Sequence, residues 1–400
     1  FNSSVSVSLS VSPAGIVSLL TCVNGTGAFA GGGYIVPVTA KLPSMHMLQY
    51  DRDGRFIKGF PMDISEGNVS SLSEMRMVWD YKRDVYYVLS LFGGPGFVAP
   101  KFGSTLMSGT NCLVKFSSMG SVIWINQSTT LSGTGTKSSI PVIDEIGDVY
   151  IGTTEENGSS FGGFITKNSL GGYAVPTVLK VNSLGVVEWG FNISTNLGAN
   201  GNNISINSKG EVGFVGNYRD TLICDTNKVV LKSSALNTFF VKLDAKTGLL
   251  KFFDTIGCSG ISKVELINSD KEGNFYIGGN FQGNFQVPSL SNLRQYGGRN
   301  DFFLIKYGTA VCAAPESLSG ITSNTSWRVY PNPTREVLTI EGMGLGSRVQ
   351  VMNLLGQVVL REDATATVQQ LWVAALPSGM YLLHLHQADG TVFTTKFLKE

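Results

Sequence analysis

The chain has 400 residues, a formal net charge of +1, 15% charged side chains and 48 glycines. That balance gives no overall electrostatic footprint for nucleic acid or an anionic membrane, and the composition excludes a disordered chain. The length implies two or three domains, or one large β domain with a smaller one.

The chain opens at Phe1, which is the start expected after removal of a signal peptide. Ser4–Val11 alternates with period two and predicts a strand. The apolar run Ala14–Val23 is too short to span a bilayer and has no basic residues before it, so no transmembrane segment is expected. Five cysteines (Cys22, Cys112, Cys224, Cys258 and Cys312) form an odd set without C-x-x-C spacing. Buried single cysteines with at most one bridge are expected, and no zinc site.

From the N-terminus to residue 310 the sequence repeats with a period in the sixties. One anchor places a polar or basic residue late in a strand, before a tight turn: Gln49, Lys115, Lys180, Lys242 and Lys306. A second anchor is a turn and then a strand: Asp84–Val88, Asp148–Gly152, Glu211–Gly216 and Asn274–Gly278. Each unit reads as four strands. The first of them ends on a turn residue at Asn24, Asp80, Asp144, Asn207 or Asn268, whose side chains are expected to bond their own turn backbone rather than a metal. The series resembles bacterial β-propeller repeats, which implies a five-bladed β-propeller with four-stranded blades. Ser4–Val11 is expected to serve as the outer strand of the fifth blade and so close the ring.

Tight connections fall on one rim of such a disc and long ones on the other: 92–111, 154–176, 217–237 and 282–300. Long loops in a compact domain carry function disproportionately. Aromatics beside arginines suit stacking and hydrogen bonding to sugars or peptides. Candidate ligand-binding residues are therefore Phe97, Phe161, Tyr218, Arg219, Arg294, Tyr296 and Arg299.

Catalytic signatures are sparse. His46 is the one propeller histidine, and no nucleophile elbow, H-E-x-x-H, P-loop or dinucleotide fingerprint is present. Glu74, Arg76, Lys263 and Glu265 lie on or beside the inner strands, where carboxylates facing across a channel would favour a glycan hydrolase. Gln49–Gly54 is similar to a calcium loop but lacks its first and last acidic ligands. No metal, cofactor or catalytic residue is assigned. Asp220-Thr221-Leu222 and Asp254-Thr255-Ile256 resemble Bacteroidota O-glycosylation sites, which makes Thr221 and Thr255 candidates.

Residues 311–326 read as a linker. Residues 327–400 then carry Pro331-Asn332-Pro333, Asn353-x-x-Gly356, Gly379-x-Tyr381 and a closing Lys396-Phe397 among short alternating runs, which predicts a small Ig-like β-sandwich. In this order the motifs resemble the C-terminal sorting domain of type IX secretion cargo in Bacteroidota. The resemblance implies a secreted or outer-membrane-surface protein, with the translocon and its sortase as partners and attachment to surface lipopolysaccharide after cleavage. The whole chain is expected to be an all-β binding or adhesion protein, its carbohydrate or protein ligand held on the long-loop face. An extracellular glycan hydrolase or lyase and a surface-layer component are the alternatives.

Overall fold

In the computed structural model every regular element among the described residues is a strand. The structure describes residues 8–23, 27–28, 34–36, 44–65, 72–92, 100–109, 111–129, 138–225, 227–230, 235–286, 300–308, 327–353, 356–387 and 392–400. The chain divides into two compact units, Phe1–Thr309 and Ala310–Glu400.

In the first unit, antiparallel sheets follow one another along the chain. The first sheet takes Ser8–Val11, Val17–Val23, Ser44–Tyr50 and Phe56–Pro61, in that spatial order. The second takes Leu72–Asp80, Val85–Phe92, Asn111–Phe116 and Val122–Gln127. The third takes Val142–Ile143, Val149–Glu156, Ala174–Val181 and Val187–Asn192. The fourth is built on Ser194–Ile206, Glu211–Cys224, Asn237–Asp244 and Leu250–Cys258. A fifth holds Ile261–Ser269, Phe275–Gln282 and Asp301–Tyr307 among the described residues.

The N-terminal strand corrects the expected closure. Ser8–Val11 pairs with Val17–Val23, Ser8 opposite Leu20 and Val11 opposite Val17, and so forms the first strand of the first sheet. The cause is local. Ser12 N–H donates to Ile16 O, Gly15 N–H donates to Ser12 O, and Gly15 sits at φ 82°. A hairpin over so short a loop costs much less closure entropy than pairing with the far end of the repeat. The preceding residues 4–7 lie outside the described residues, as does Asn24.

The turns explain the sequence period. Asp144 Oδ1 accepts the N–H groups of Ile146 and Asp148, and Asn207 Oδ1 those of Lys209 and Glu211. Asp80 accepts from Lys82 and Arg83. In the fifth sheet Asp270, not Asn268, takes this role and accepts from Asn274. In the first sheet Ser12 Oγ accepts from Ile16. The same device closes the turn between third and fourth strands at Asp51, Ser117, Asn182 and Asp244. These side chains satisfy turn backbone, the local role their residue types predict.

The third strands of the second and third sheets are deeply buried. Every residue of Asn111–Phe116 is buried, and all but the first of Ala174–Val181. The recurring lysine lies over a ring: Lys115 over Tyr87 at 5.3 Å, Lys180 over Tyr150 at 5.8 Å and Lys306 over Tyr276 at 5.6 Å. Tryptophans from the fourth strands join successive sheets. Trp124 Nε1 donates to Ser183 O at 3.1 Å, and Trp189 Nε1 to Ala245 O at 3.1 Å. Gly185 faces the Trp124 ring at φ 90°, where a Cβ would come within 2.9 Å of the indole. Only glycine fits both the turn and the ring there.

The second unit holds two sheets around one core. One takes Arg328–Tyr330, Val337–Glu341 and Val368–Trp372; the other takes Val358–Asp363, Arg348–Met352, Gly379–His386 and Val392–Lys399 in spatial order. Leu338, Ile340 and Leu371 of the first meet Val349, Val351, Leu383, Leu385 and Phe397 of the second.

Candidate functional site

Each long loop returns onto the body through a buried apolar residue that pairs there. Phe102 pairs with Ile64, Phe161 with Ser128, Leu222 with Thr195 and Phe285 with Cys258. All four are at most 1% exposed. Ile64, Ser128 and Cys258 lie at or just beyond the end of a preceding fourth strand, so these three loops are fastened across to the neighbouring unit, whereas Leu222 and Thr195 pair within the fourth sheet. Phe161 is thereby a core residue and cannot stack on a ligand. Tyr218 is likewise fully buried in the fourth-sheet core, and burial pushes its hydroxyl up to about 12. Both depart from the expected rim role, because an aromatic flanked by strand residues gains more from the core than from solvent. Arg219 is exposed. Phe97, Arg294, Tyr296 and Arg299 lie outside the described residues.

Two polar groups near this rim are structural ties. Glu155 is 1% exposed, accepting from Asn111 Nδ2 at 2.8 Å and Ser128 Oγ at 2.6 Å. Its carboxylate thus joins the third sheet to the second. His46 is fully buried, with Tyr34 Oη 2.9 Å from Nδ1 and Ser44 Oγ 2.8 Å from Nε2. Sequence reasoning gave His46 no such neighbour; the Ser-x-His spacing on one strand face was the available signal. Burial lowers the imidazole's pKa, and both ring nitrogens are satisfied. Ser44 is itself only 9% exposed, so the pair suits a core hydrogen-bond network rather than an attacking nucleophile.

Of the candidate glycosylation sites, Thr221 is 8% exposed and its N–H donates to Asn196 Oδ1. Thr255 is half-buried beside Asp254, whose pKa is raised by burial and whose Oδ2 accepts from Tyr307 Oη at 2.9 Å.

The more open constellation lies along the inner strands. A cavity of about 450 Å³ is lined by Arg76, by Ile140 and Val142, by Asn203 and Ser205, and by Glu265 and Asn268. Residues of the second to fifth sheets therefore face one common space. Asn203 Nδ2 donates to Glu265 O at 2.6 Å, and Lys263 Nζ lies 2.5 Å from Glu265 Oε1. Arg76 and Glu265, both placed on or beside inner strands from sequence, share one cavity. Backbone alone is described for Glu74 in strand Leu72–Asp80. Ile140 and Leu266 are 46% and 45% exposed, and both line this space as an apolar wall.

The sorting motifs, scattered in sequence, converge in the second unit. Asn332 Oδ1 accepts Leu398 N–H at 2.9 Å and its Nδ2 donates to Lys396 O at 3.1 Å, so one side chain imitates a neighbouring strand. Thr334 N–H donates to Leu398 O, and Glu400 N–H to Thr334 O. Pro331 and Pro333, both exposed and both preceded by cis peptide bonds, flank that asparagine. Tyr381 Oη donates to Pro377 O at 2.8 Å, and its ring stacks on Phe397 at 5.7 Å. Asn353 and Gly356 form the turn already seen in the first unit, with Gly356 at φ 77°. Gly379 opens the strand carrying Tyr381, and Lys396 points to solvent.

Residues 328–400 match the secretion system C-terminal sorting domain. No curated protein matches the chain. Among solved structures, 98% of the chain aligns with PorZ, described as an essential surface component of the type-IX secretion system of Porphyromonas gingivalis. The identity is 10% and the TM-score 0.23, and the chain spans 59% of that protein's length. It is also similar to an ulvan lyase of polysaccharide lyase family PL25, with 12% identity, 98% and 91% coverage and a TM-score of 0.38. The Dos1 propeller aligns at 11% identity, 98% and 91% coverage and a TM-score of 0.34. Among the described residues the first unit is all-β. No helix among the described residues is long and apolar enough to cross a membrane.

Proposed function

We propose that this chain, a type IX secretion cargo by its sorting tail, is an extracellular binding protein that holds an acidic carbohydrate in the cavity of its first unit. The tail addresses the protein to the outside of the cell or the outer-membrane surface. The first unit is read as a five-bladed propeller and the tail as an Ig-like sandwich, cleaved by the sortase on export, with surface lipopolysaccharide as the acceptor. The supporting observation is the cavity that Arg76, Asn203, Glu265 and Asn268 share with Ile140 and Val142. A guanidinium fork suits a carboxylate bidentately, side-chain amides suit hydroxyls, and aliphatic walls suit the C–H face of a sugar ring.

The test is a glycan array of acidic and neutral sugars, read with the wild type and with Arg76→Ala. A charge-assisted contact contributes about 1.5–3 kcal/mol, so the variant should lose about ten- to a hundredfold in affinity for acidic sugars with little change in Tm. Unchanged affinity would reject the cavity as the site. Shortening of the glycan by wild type, abolished by Glu265→Gln, would instead establish the hydrolase or lyase.

A further inference from the structure

In the sorting tail, the four-stranded sheet turns one face to the core and the other outward. The outward set is read from register and exposure. Arg348, Gln350 and Met352 alternate with buried Val349 and Val351, while Thr394, Lys396 and Leu398 alternate with half-buried Phe393 and Thr395 and buried Phe397 and Lys399. Across the sheet, Arg361 lies opposite Gln350, Gln350 opposite His384, and His384 opposite Thr394. Met380 lies opposite Leu398, and the two are 45% and 39% exposed. The face thus carries the cations Arg348, Arg361 and Lys396; of its carboxylates, Asp363 is engaged by Arg348 at 2.8 Å, and Glu400, two residues beyond Leu398, by Arg335 at 3.2 Å.

The sorting motif leads to the same face. Its residues on the final hairpin divide by side: Tyr381 and Phe397 are buried, and Lys396 is exposed. The Asn332 amide holds the backbone on either side of Phe397 from the strand's edge. A receptor reading this hairpin from outside therefore meets Lys396 and its neighbours.

We propose that the outer face of this sheet, centred on Lys396, Leu398, Met380 and Arg361, docks on an acidic protein surface of the export machinery. An apolar pair beside Lys396, on a face that also carries Arg361, has the composition of a protein–protein contact, and the excess of cations selects a negative partner. The inference rests on the sorting role of the tail and adds the face and the chemistry of what it meets.

The test is export of the full chain in a host carrying the type IX machinery, comparing wild type, Arg361→Glu/Lys396→Glu, the opposite-sheet control Gln370→Glu and a chain lacking residues 327–400. The double reversal should lower surface export at least about tenfold while leaving Tm within a few degrees, and the control should export normally. Normal export of the double variant, with loss of export on tail deletion, would overturn the docking face and keep the sorting role. Normal export of the deleted chain would overturn the sorting role itself. Vesicles of lipopolysaccharide that retain wild type and release the double variant, while export stays normal, would assign the face to lipid and overturn the protein partner. If the double variant fails to fold, Lys396→Gln alone supplies the comparison, and its normal export would count against the proposal.

Discussion

His46 shows how a single buried side chain couples the fold to pH. Its ring is enclosed between Tyr34 and Ser44, and burial sets its folded pKa below the ordinary value of 6.5. Between those two values the unfolded chain binds more protons than the folded one, so stability falls as pH drops below about 6.5. The slope from one such group reaches about 1.4 kcal/mol per pH unit. Urea unfolding of wild type and His46→Gln from acid to neutral pH should show this component vanish in the variant; an identical slope would contradict it. Asn332 offers a second residue-scale test. Asn332→Ala removes both bonds to the last strand and should destabilise the tail by about 1–3 kcal/mol, seen as faster hydrogen exchange at the Leu398 amide. Unchanged exchange would show that the clamp contributes nothing. The turn asparagines and aspartates were legible in sequence because their chemistry is local. Ser12 is not an Asx residue, and Asp270, although it keeps the spacing from Asn207, stands two residues beyond Asn268, which offers the same chemistry in sequence. Tyr218 and Phe161 were misplaced for the opposite reason, since a loop aromatic looks alike whether it faces ligand or core.

Strands were readable from alternation, but their partners were not. Ser8–Val11 has the period of a strand on any edge, and only the Ser12–Ile16 turn decides that it folds back on Val17–Val23. Its serines then serve the second sheet, where Ser8 Oγ accepts Met77 N–H at 2.9 Å and Ser10 Oγ accepts Trp79 N–H at 3.1 Å. Ser8→Ala/Ser10→Ala should therefore lower stability by about 1–3 kcal/mol, by leaving backbone donors of the second sheet without their acceptors. A shift in urea midpoint at constant m checks this, and an unchanged midpoint would show that the two sheets do not depend on these bonds. Of the anchoring loop residues Phe102, Phe161, Leu222 and Phe285, sequence singled out Phe161, as an aromatic of a long loop. The partners of Phe102, Phe161 and Phe285 come from segments of the preceding unit, which a repeat read in one dimension does not reveal.

Across the molecule, the repeat and the tail were legible because each is a periodic or motif-bearing pattern in one chain. The cavity was not, since Arg76 and Glu265 are brought together only when successive sheets pack side by side. The proposed activity depends on that packing, with ligand meeting the inner strands rather than the rim. Hydrogen–deuterium exchange of the full chain, with and without an acidic glycan identified on the array, tests this most directly. The account predicts slowed exchange in Leu72–Asp80, Ser194–Ile206 and Ile261–Ser269, the strands that carry Arg76, Asn203 and Glu265. Protection confined to the long loops, with those three strands unchanged, would contradict it.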